Sequence, residues 1–157
     1  MNNAGIAINV DDNTEELSRK TANVNYFGTV YLSENMIPLI KENGKIITVG
    51  SQAGKVGRLS QELQDRVLDD SLTKEGLDKI AEEFFIAMRE NTLKKLGFPN
   101  TMYGMSKVFI NVYITKILSR KEDVLKKGIQ VYCLCPGWVR TEMVAKRVRD
   151  KAPNSIE

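Results

Sequence analysis

Histidine is absent from the 157 residues, and there are only two cysteines, four prolines and one tryptophan. Without histidine, Ser-His-Asp and Cys-His nucleophilic catalysis are excluded together with histidine-based metal sites. Chemistry therefore falls to Tyr, Lys, Ser, Asn or carboxylates, and no metal is expected. The chain also has no run of 18 apolar residues, and its start lacks the basic, apolar and small-residue segments of a secretory leader. A cytoplasmic protein with no membrane partner is the expectation. Cys133 and Cys135 stand two apart in an apolar run, so on a strand they share a face and are too close to bridge each other. They read as core residues, with Cys135 as a reactive thiol the alternative. Charge of one sign is lacking too: 23 Lys+Arg against 20 Asp+Glu leave +3. The basic cluster Lys146, Arg147, Arg149 and Lys151 reads as a solvated terminal helix, because a nucleic-acid site needs a larger basic face with aromatics beside it. No nucleic-acid partner is expected.

What is present fits one globular domain, with 42% hydrophobic and 27% charged residues. After a turn-like start, a helical pattern runs from about Glu15 to Lys41, with Leu17, Val24, Phe27, Val30, Tyr31, Met36, Ile37 and Ile40 as its apolar positions; Asn43-Gly44 stops it. Asn25 and Gly28 are poor helix formers within it. They mark either a tolerated defect or a local bulge that frees a backbone carbonyl to hold a water. Lys45 to Gly50 reads as a short buried strand that ends at Ser51, and the Gly50–Gly57 segment lacks both the P-loop spacing and the Gly-x-Gly of a dinucleotide fingerprint.

Residues 59–99 are highly charged and carry two helical patterns. The clearer one has Thr73 as N-cap and places Leu77, Ile80, Ala81, Phe84, Phe85 and Met88 on one face. A helix from about Thr101 to Ser119 follows, then a second buried strand, Ile129 to Cys135, closed by Pro136-Gly137. Strands alternating with helices predict βαβ units in a parallel sheet with right-handed crossovers.

The helix from about Thr101 carries Tyr103-Gly104-Met105-Ser106-Lys107 in its first turns. A tyrosine and a lysine four apart share one helix face, so the ammonium can favour the ionised phenol, an arrangement suited to proton transfer. The same spacing also occurs on solvated helix faces, and the remaining motifs decide between the two.

Asn2-Asn3-Ala4-Gly5, Asn25-Tyr26-Phe27-Gly28-Thr29, Gly50-Ser51, Tyr103 to Lys107 and Cys135-Pro136-Gly137-Trp138-Val139-Arg140-Thr141 occur in the order found in short-chain dehydrogenases/reductases. The long Ser51 to Tyr103 segment resembles the carbonyl reductase branch of that family. The resemblance implies an α/β fold, a partial Rossmann-like doubly wound parallel sheet holding roughly strands 4 to 6, in one partial domain over residues 1–157 with a helical insertion at about 59–99. It implies NADPH as cofactor, a small-molecule ketone, aldehyde or quinone as substrate, and a catalytic tetrad of Asn25, Ser51, Tyr103 and Lys107.

Tyr103 would be the general acid, Lys107 would lower its pKa and hold the nicotinamide ribose, Ser51 would bond the substrate oxygen, and the Asn25 bulge would hold a water that resupplies protons. Asn3, Pro136, Gly137, Val139, Arg140 and Thr141 match cofactor-contacting positions, although simple strand-to-helix punctuation also accounts for Pro136-Gly137. Trp138, Ile8 and Val10 match the substrate side. The Thr-Gly-x-x-x-Gly-x-Gly loop with which members begin is not among these residues. The expectation is therefore a piece of a longer, monomeric reductase that exposes sheet edges and apolar faces, with a non-catalytic, partner-binding chain as the alternative.

Overall fold

The computed structural model describes residues 1–8 and 13–137. Val10, Trp138, Val139, Arg140, Thr141 and the basic cluster from Lys146 to Lys151 lie outside the described residues.

The long amino-terminal helix forms as three segments: α1 (Glu15–Ala22), a π-helical turn (Asn23–Phe27) and α2 (Gly28–Met36). Thr14 caps it, its Oγ1 accepting from Leu17 N at 3.2 Å. The expected apolar stripe is corrected here, because Val24, Tyr31 and Met36 are exposed. The buried positions are Ser18, Thr21, Ala22, Asn25, Tyr26, Thr29, Val30 and Ser33. Two causes combine. The π turn takes one extra residue and shifts the phase of the face, and two of the buried hydroxyl residues, Thr21 and Thr29, satisfy themselves on their own helix. Thr21 Oγ1 donates to Leu17 O at 2.8 Å and Thr29 Oγ1 to Asn25 O at 3.1 Å.

β1 (Lys45–Val49) and β2 (Gln130–Leu134) pair in parallel, Lys45 opposite Gln130 through Val49 opposite Leu134. Asn2 adds a parallel bridge on the other edge of β1: its N–H donates to Ile47 O at 2.7 Å and its carbonyl accepts from Val49 N at 3.0 Å. The register is set where the strands begin. Asn43 (φ 59) and Gly128 (φ 62) turn the chain side by side, and Asn43 N donates to Lys127 O at 2.8 Å. The Lys127 ammonium donates to the carbonyls of Ile37, Pro38 and Ile40 at 2.8 to 3.1 Å, covering groups that the helix end leaves open.

Helices cover the face of the sheet that carries Ile46 and Thr48, whereas Tyr132 and Leu134 of β2 are more than two-fifths exposed. The reading of both cysteines as core residues is corrected in the same place: Cys133 is half-buried, and Cys135 is exposed past the end of β2.

Between the strands lie α3 (Gln61–Leu68), α4 (Lys74–Arg89), α5 (Met102–Val112) and α6 (Glu122–Lys126). Thr73 caps α4 as its position predicts, Oγ1 accepting from Gly76 N at 3.1 Å, and Thr101 caps α5 through Gly104 N at 3.1 Å. α4 drives Phe84 into the centre of the molecule, 6.2 Å from the Phe109 ring of α5 and 5.6 Å from Phe98. Tyr26 packs its ring against Phe109 at 5.6 Å, tilted to it, so the π-helical turn, α4 and α5 share one aromatic core. Arg19 ties α4 to α1 with a bidentate bond to Glu82 and lies 4.5 Å over the Phe85 ring. A second π-helical turn, Tyr113–Ile117, ends α5. Among the described residues no helix is long and apolar enough to cross a membrane, and no acidic, histidine or cysteine group could hold a metal ion.

Candidate active site

The site assembles where β1 ends against α5. Lys107 is 6% exposed, and its Nζ donates to Val49 O, the last carbonyl of β1, at 2.9 Å. That bond places the ammonium 5.7 Å from the centre of the Tyr103 ring, one turn earlier on α5. Two residues past Val49, Ser51 turns into a 3-10 turn, its Oγ accepting from Ala53 N at 3.1 Å. Gly54 closes that turn directly on the α5 backbone; a Cβ there would lie 2.6 Å from Val108 N. The chain can approach α5 so closely only with glycine at this position.

Asn25 projects from the π turn and is fully enclosed. Its Oδ1 accepts from Ile6 N at 2.7 Å, and its Nδ2 donates to Ile6 O and Ser106 Oγ, each at 2.9 Å. Ser106 Oγ donates in turn to Tyr103 O at 2.8 Å. The π turn thus holds both the Gly5-Ile6 segment and the first turn of α5. Gly5 leaves the space between them open, since a Cβ there would stand 3.4 Å from Asn25 Oδ1 and 3.8 Å from Lys107 Nζ.

Electrostatics differ from the expectation that Lys107 lowers the phenol. Burial pushes the Tyr103 hydroxyl above its ordinary value, hydrogen bonding from Ser51 opposes that, and the neighbouring Cys135 adds to it. The same desolvation pushes Lys107 below its ordinary value, with Cys133 and Cys135 opposing. Burial also raises Cys133.

All four tetrad positions meet at this corner. Asn3, by contrast, is exposed, and it is Asn2 that anchors the first segment, its Nδ2 donating to Ser33 Oγ at 2.8 Å and to Thr48 Oγ1 at 3.3 Å. Ile8 is half-buried, while Pro136 and Gly137 (φ 82) are exposed just past β2. Sequence reasoning missed Ser106 and Asn111. Their signal was available in part, because both lie on α5 within one turn of Lys107. The residues suit the ribose end of a nicotinamide cofactor: a hydroxyl and an ammonium on one helix face, beneath a glycine that leaves the approach clear. A cleft of about 270 Å³ beside them is lined by Ser51, Lys55, Asn111, Thr115, Cys133 and Cys135. A larger cleft of about 450 Å³, lined by Glu34, Asp70, Lys116 and Arg120 among others, lacks this chemistry, and its charges are already paired with one another.

Known proteins of one family resemble this chain. The family model for short chain dehydrogenase matches residues 1–63. Carbonyl reductase (NADPH) 1 of Mus musculus is 35% identical over 168 residues, covering 100% of this chain and 58% of that protein. Carbonyl reductase (NADPH) 3 of Rattus norvegicus is 32% identical over 163 residues, covering 100% and 57%. The chain thus spans a little over half the length of the curated relatives it matches. Among solved structures, salutaridine reductase from Papaver somniferum superposes with a TM-score of 0.74 at 29% identity, over 84% of this chain and 45% of that one. Menthone neomenthol reductase from Mentha piperita shares the fold with a TM-score of 0.68 at 22% identity, over 78% and 43%.

Proposed function

This chain is a short-chain dehydrogenase/reductase sequence of the carbonyl reductase-like branch, and on that premise we propose that it performs the proton-transfer part of an NADPH-dependent reduction of ketones, aldehydes or quinones. The observation that carries the reading is the Lys107 ammonium, held on Val49 O at the end of β1 two residues before Ser51 and 5.7 Å from the Tyr103 ring.

The cofactor, when bound, supplies the hydride. Tyr103 gives its hydroxyl proton to the carbonyl oxygen as negative charge develops there. Burial alone raises the phenol and weakens it as an acid, a penalty that stabilisation of the phenolate must offset. Lys107 stabilises the phenolate left behind, and Ser51 orients the carbonyl oxygen by hydrogen bonding. Tyr103 and Lys107 would also hold the ribose hydroxyls, with Asn3, Pro136, Gly137, Val139, Arg140 and Thr141 as further cofactor contacts. Ile8, Val10 and Trp138 would face the substrate. Proton resupply to Lys107 would run through a water at the Asn25 carbonyl. The α3 and α4 segment lies across α1 and α5 through Arg19, Phe85 and Phe84, which favours a monomeric enzyme.

The test is reduction of a quinone with NADPH, followed by loss of nicotinamide absorbance, for the chain and for Tyr103→Phe. Turnover that disappears in the variant is expected. A variant as active as its parent, or a parent that neither binds nor oxidises NADPH, overturns the proposal.

A further inference from the structure

Tyr103, Lys107 and Asn111 follow one another at steps of four along α5 and therefore occupy one stripe of the helix. The third member has no part in the reaction as described so far. Its carboxamide nevertheless makes four polar contacts in the place where the sheet runs out. The last main-chain bond between the strands is Gly50 N to Leu134 O, at 2.8 Å. Immediately past it, Asn111 Oδ1 accepts from Ser51 N at 3.4 Å, and Asn111 Nδ2 donates to Ser51 O at 2.9 Å and to Gly54 O at 3.1 Å. Cys133 Sγ donates to the same Oδ1 at 3.4 Å. The carboxamide offers an acceptor and a donor side by side, as a peptide group does, and so takes the place of a strand partner for Ser51. Gly50 makes room for it: a Cβ at Gly50 would collide with Asn111 Oδ1 and lie 2.6 Å from Cys133 Sγ.

We propose that Asn111 is a positioning residue that fixes the direction of the Ser51 hydroxyl by binding both main-chain groups of Ser51. The inference rests on the reading of Ser51 and Tyr103 as reacting groups and adds the residue that aligns them. With its N–H and C=O held by Asn111 and its Oγ accepting from Ala53 N, Ser51 keeps its hydroxyl proton for the phenol or the substrate. Serine elsewhere in a loop end would rotate freely, since no ladder continues past Gly50 to hold its backbone.

The experiment follows the Tyr103 titration by NMR in chain labelled at the tyrosine Cζ carbons, with Tyr103→Phe to assign the signal. A serine hydroxyl held towards the phenol stabilises its ionised form. Ser51→Ala and Asn111→Ala are therefore each expected to move the Tyr103 titration to higher pH, and the double variant to move it no further than Ser51→Ala alone. The titratable groups facing this corner, Lys107, Cys133 and Cys135, stay intact in every variant. A folded Asn111→Ala chain with an unmoved Tyr103 titration overturns the proposal, as does a double variant whose shift is the sum of the two. Asn111→Leu keeps the volume in case alanine unfolds the chain. A second measurement needs no variant: the Asn111 carboxamide protons should exchange slowly with water, and rapid exchange overturns the proposal. None of these readouts requires NADPH or turnover, so an inactive chain counts against the reductase reading and leaves the Asn111 assignment to stand or fall separately.

Discussion

Gly54 lies on the backbone of Lys107, so close that a Cβ would collide with the Lys107 carbonyl group and stand 2.6 Å from Val108 N. Because the obstacle is helix backbone, no rotamer change relieves it. Gly54→Ala is expected to cost about 1–3 kcal/mol by overpacking and to loosen the Lys107 to Val49 bond. Gly57 has nothing within 4 Å of its Cβ position, and Gly57→Ala should be neutral or stabilising by about 0.4–1 kcal/mol. Urea unfolding of the two variants checks both signs; equal destabilisation would refute the packing argument.

Asn25→Ala leaves Ile6 N, Ile6 O and Ser106 Oγ without the partner each has now. Its expected cost is about 2–3 kcal/mol, because the orphaned groups stay largely shielded from water. Ser106→Ala removes only one of these bonds and should cost less. Denaturant midpoints with an unchanged slope would check the order, and an Asn25→Ala chain as stable as its parent would disprove it.

Phe84→Ala empties the space shared by Phe85, Phe98 and Phe109. A loss of about 3–5 kcal/mol is expected from transfer and cavity terms together. Thermal unfolding by circular dichroism is the measurement, and a loss below that of an exposed substitution such as Leu39→Ala would show that α4 is not part of the core.

Alkaline stability has a definite sign. Tyr26 and Tyr113 are raised above their ordinary value of 10.0, chiefly by burial, with Asp78 and Glu34 beside them, and Tyr103 is raised by burial as well. In the unfolded chain these phenols ionise near 10.0 while the folded chain keeps them neutral, so stability is full below that pH and falls as pH rises above it. Lys107 works the other way: its folded value lies below 10.5, so its penalty is relieved as pH climbs towards that figure. Tyr26→Phe should lower stability at neutral pH by losing the 2.7 Å bond to Asp78 and flatten the decline above pH 10.0. Unfolding curves measured across that window would contradict the prediction if the variant declined as steeply as the parent.

The order of strands and helices was legible because caps and stops carry local signals: Thr73, Thr101, Asn43 and Gly128 do in the structure what their residue types suggest. The pairing of Tyr103 with Lys107 was legible because the helix itself spaces the two residues. Hydrophobic periodicity misled along α1 and α2, where the buried positions include Ser18, Thr21, Thr29 and Ser33, small enough for close packing and polar enough to look solvated. The second π turn at Tyr113–Ile117 had no composition to announce it. The role of Asn111 was only partly legible, from its place one turn after Lys107: its partners, Ser51 and Gly54, are 60 and 57 residues away, and only the folded sheet end brings them within reach.

The bond from Lys107 to the Val49 carbonyl also acts as a gauge. A parallel strand that slips by one residue turns every side chain to the opposite face. Were β1 to settle one residue out of step, Val49 O would leave the ammonium, Asn2 would lose its bridge beside Thr48, and Ser51 would point away from Tyr103. The corner that would handle protons therefore forms only in chains whose sheet has paired correctly, and a misaligned molecule is silent rather than indiscriminate.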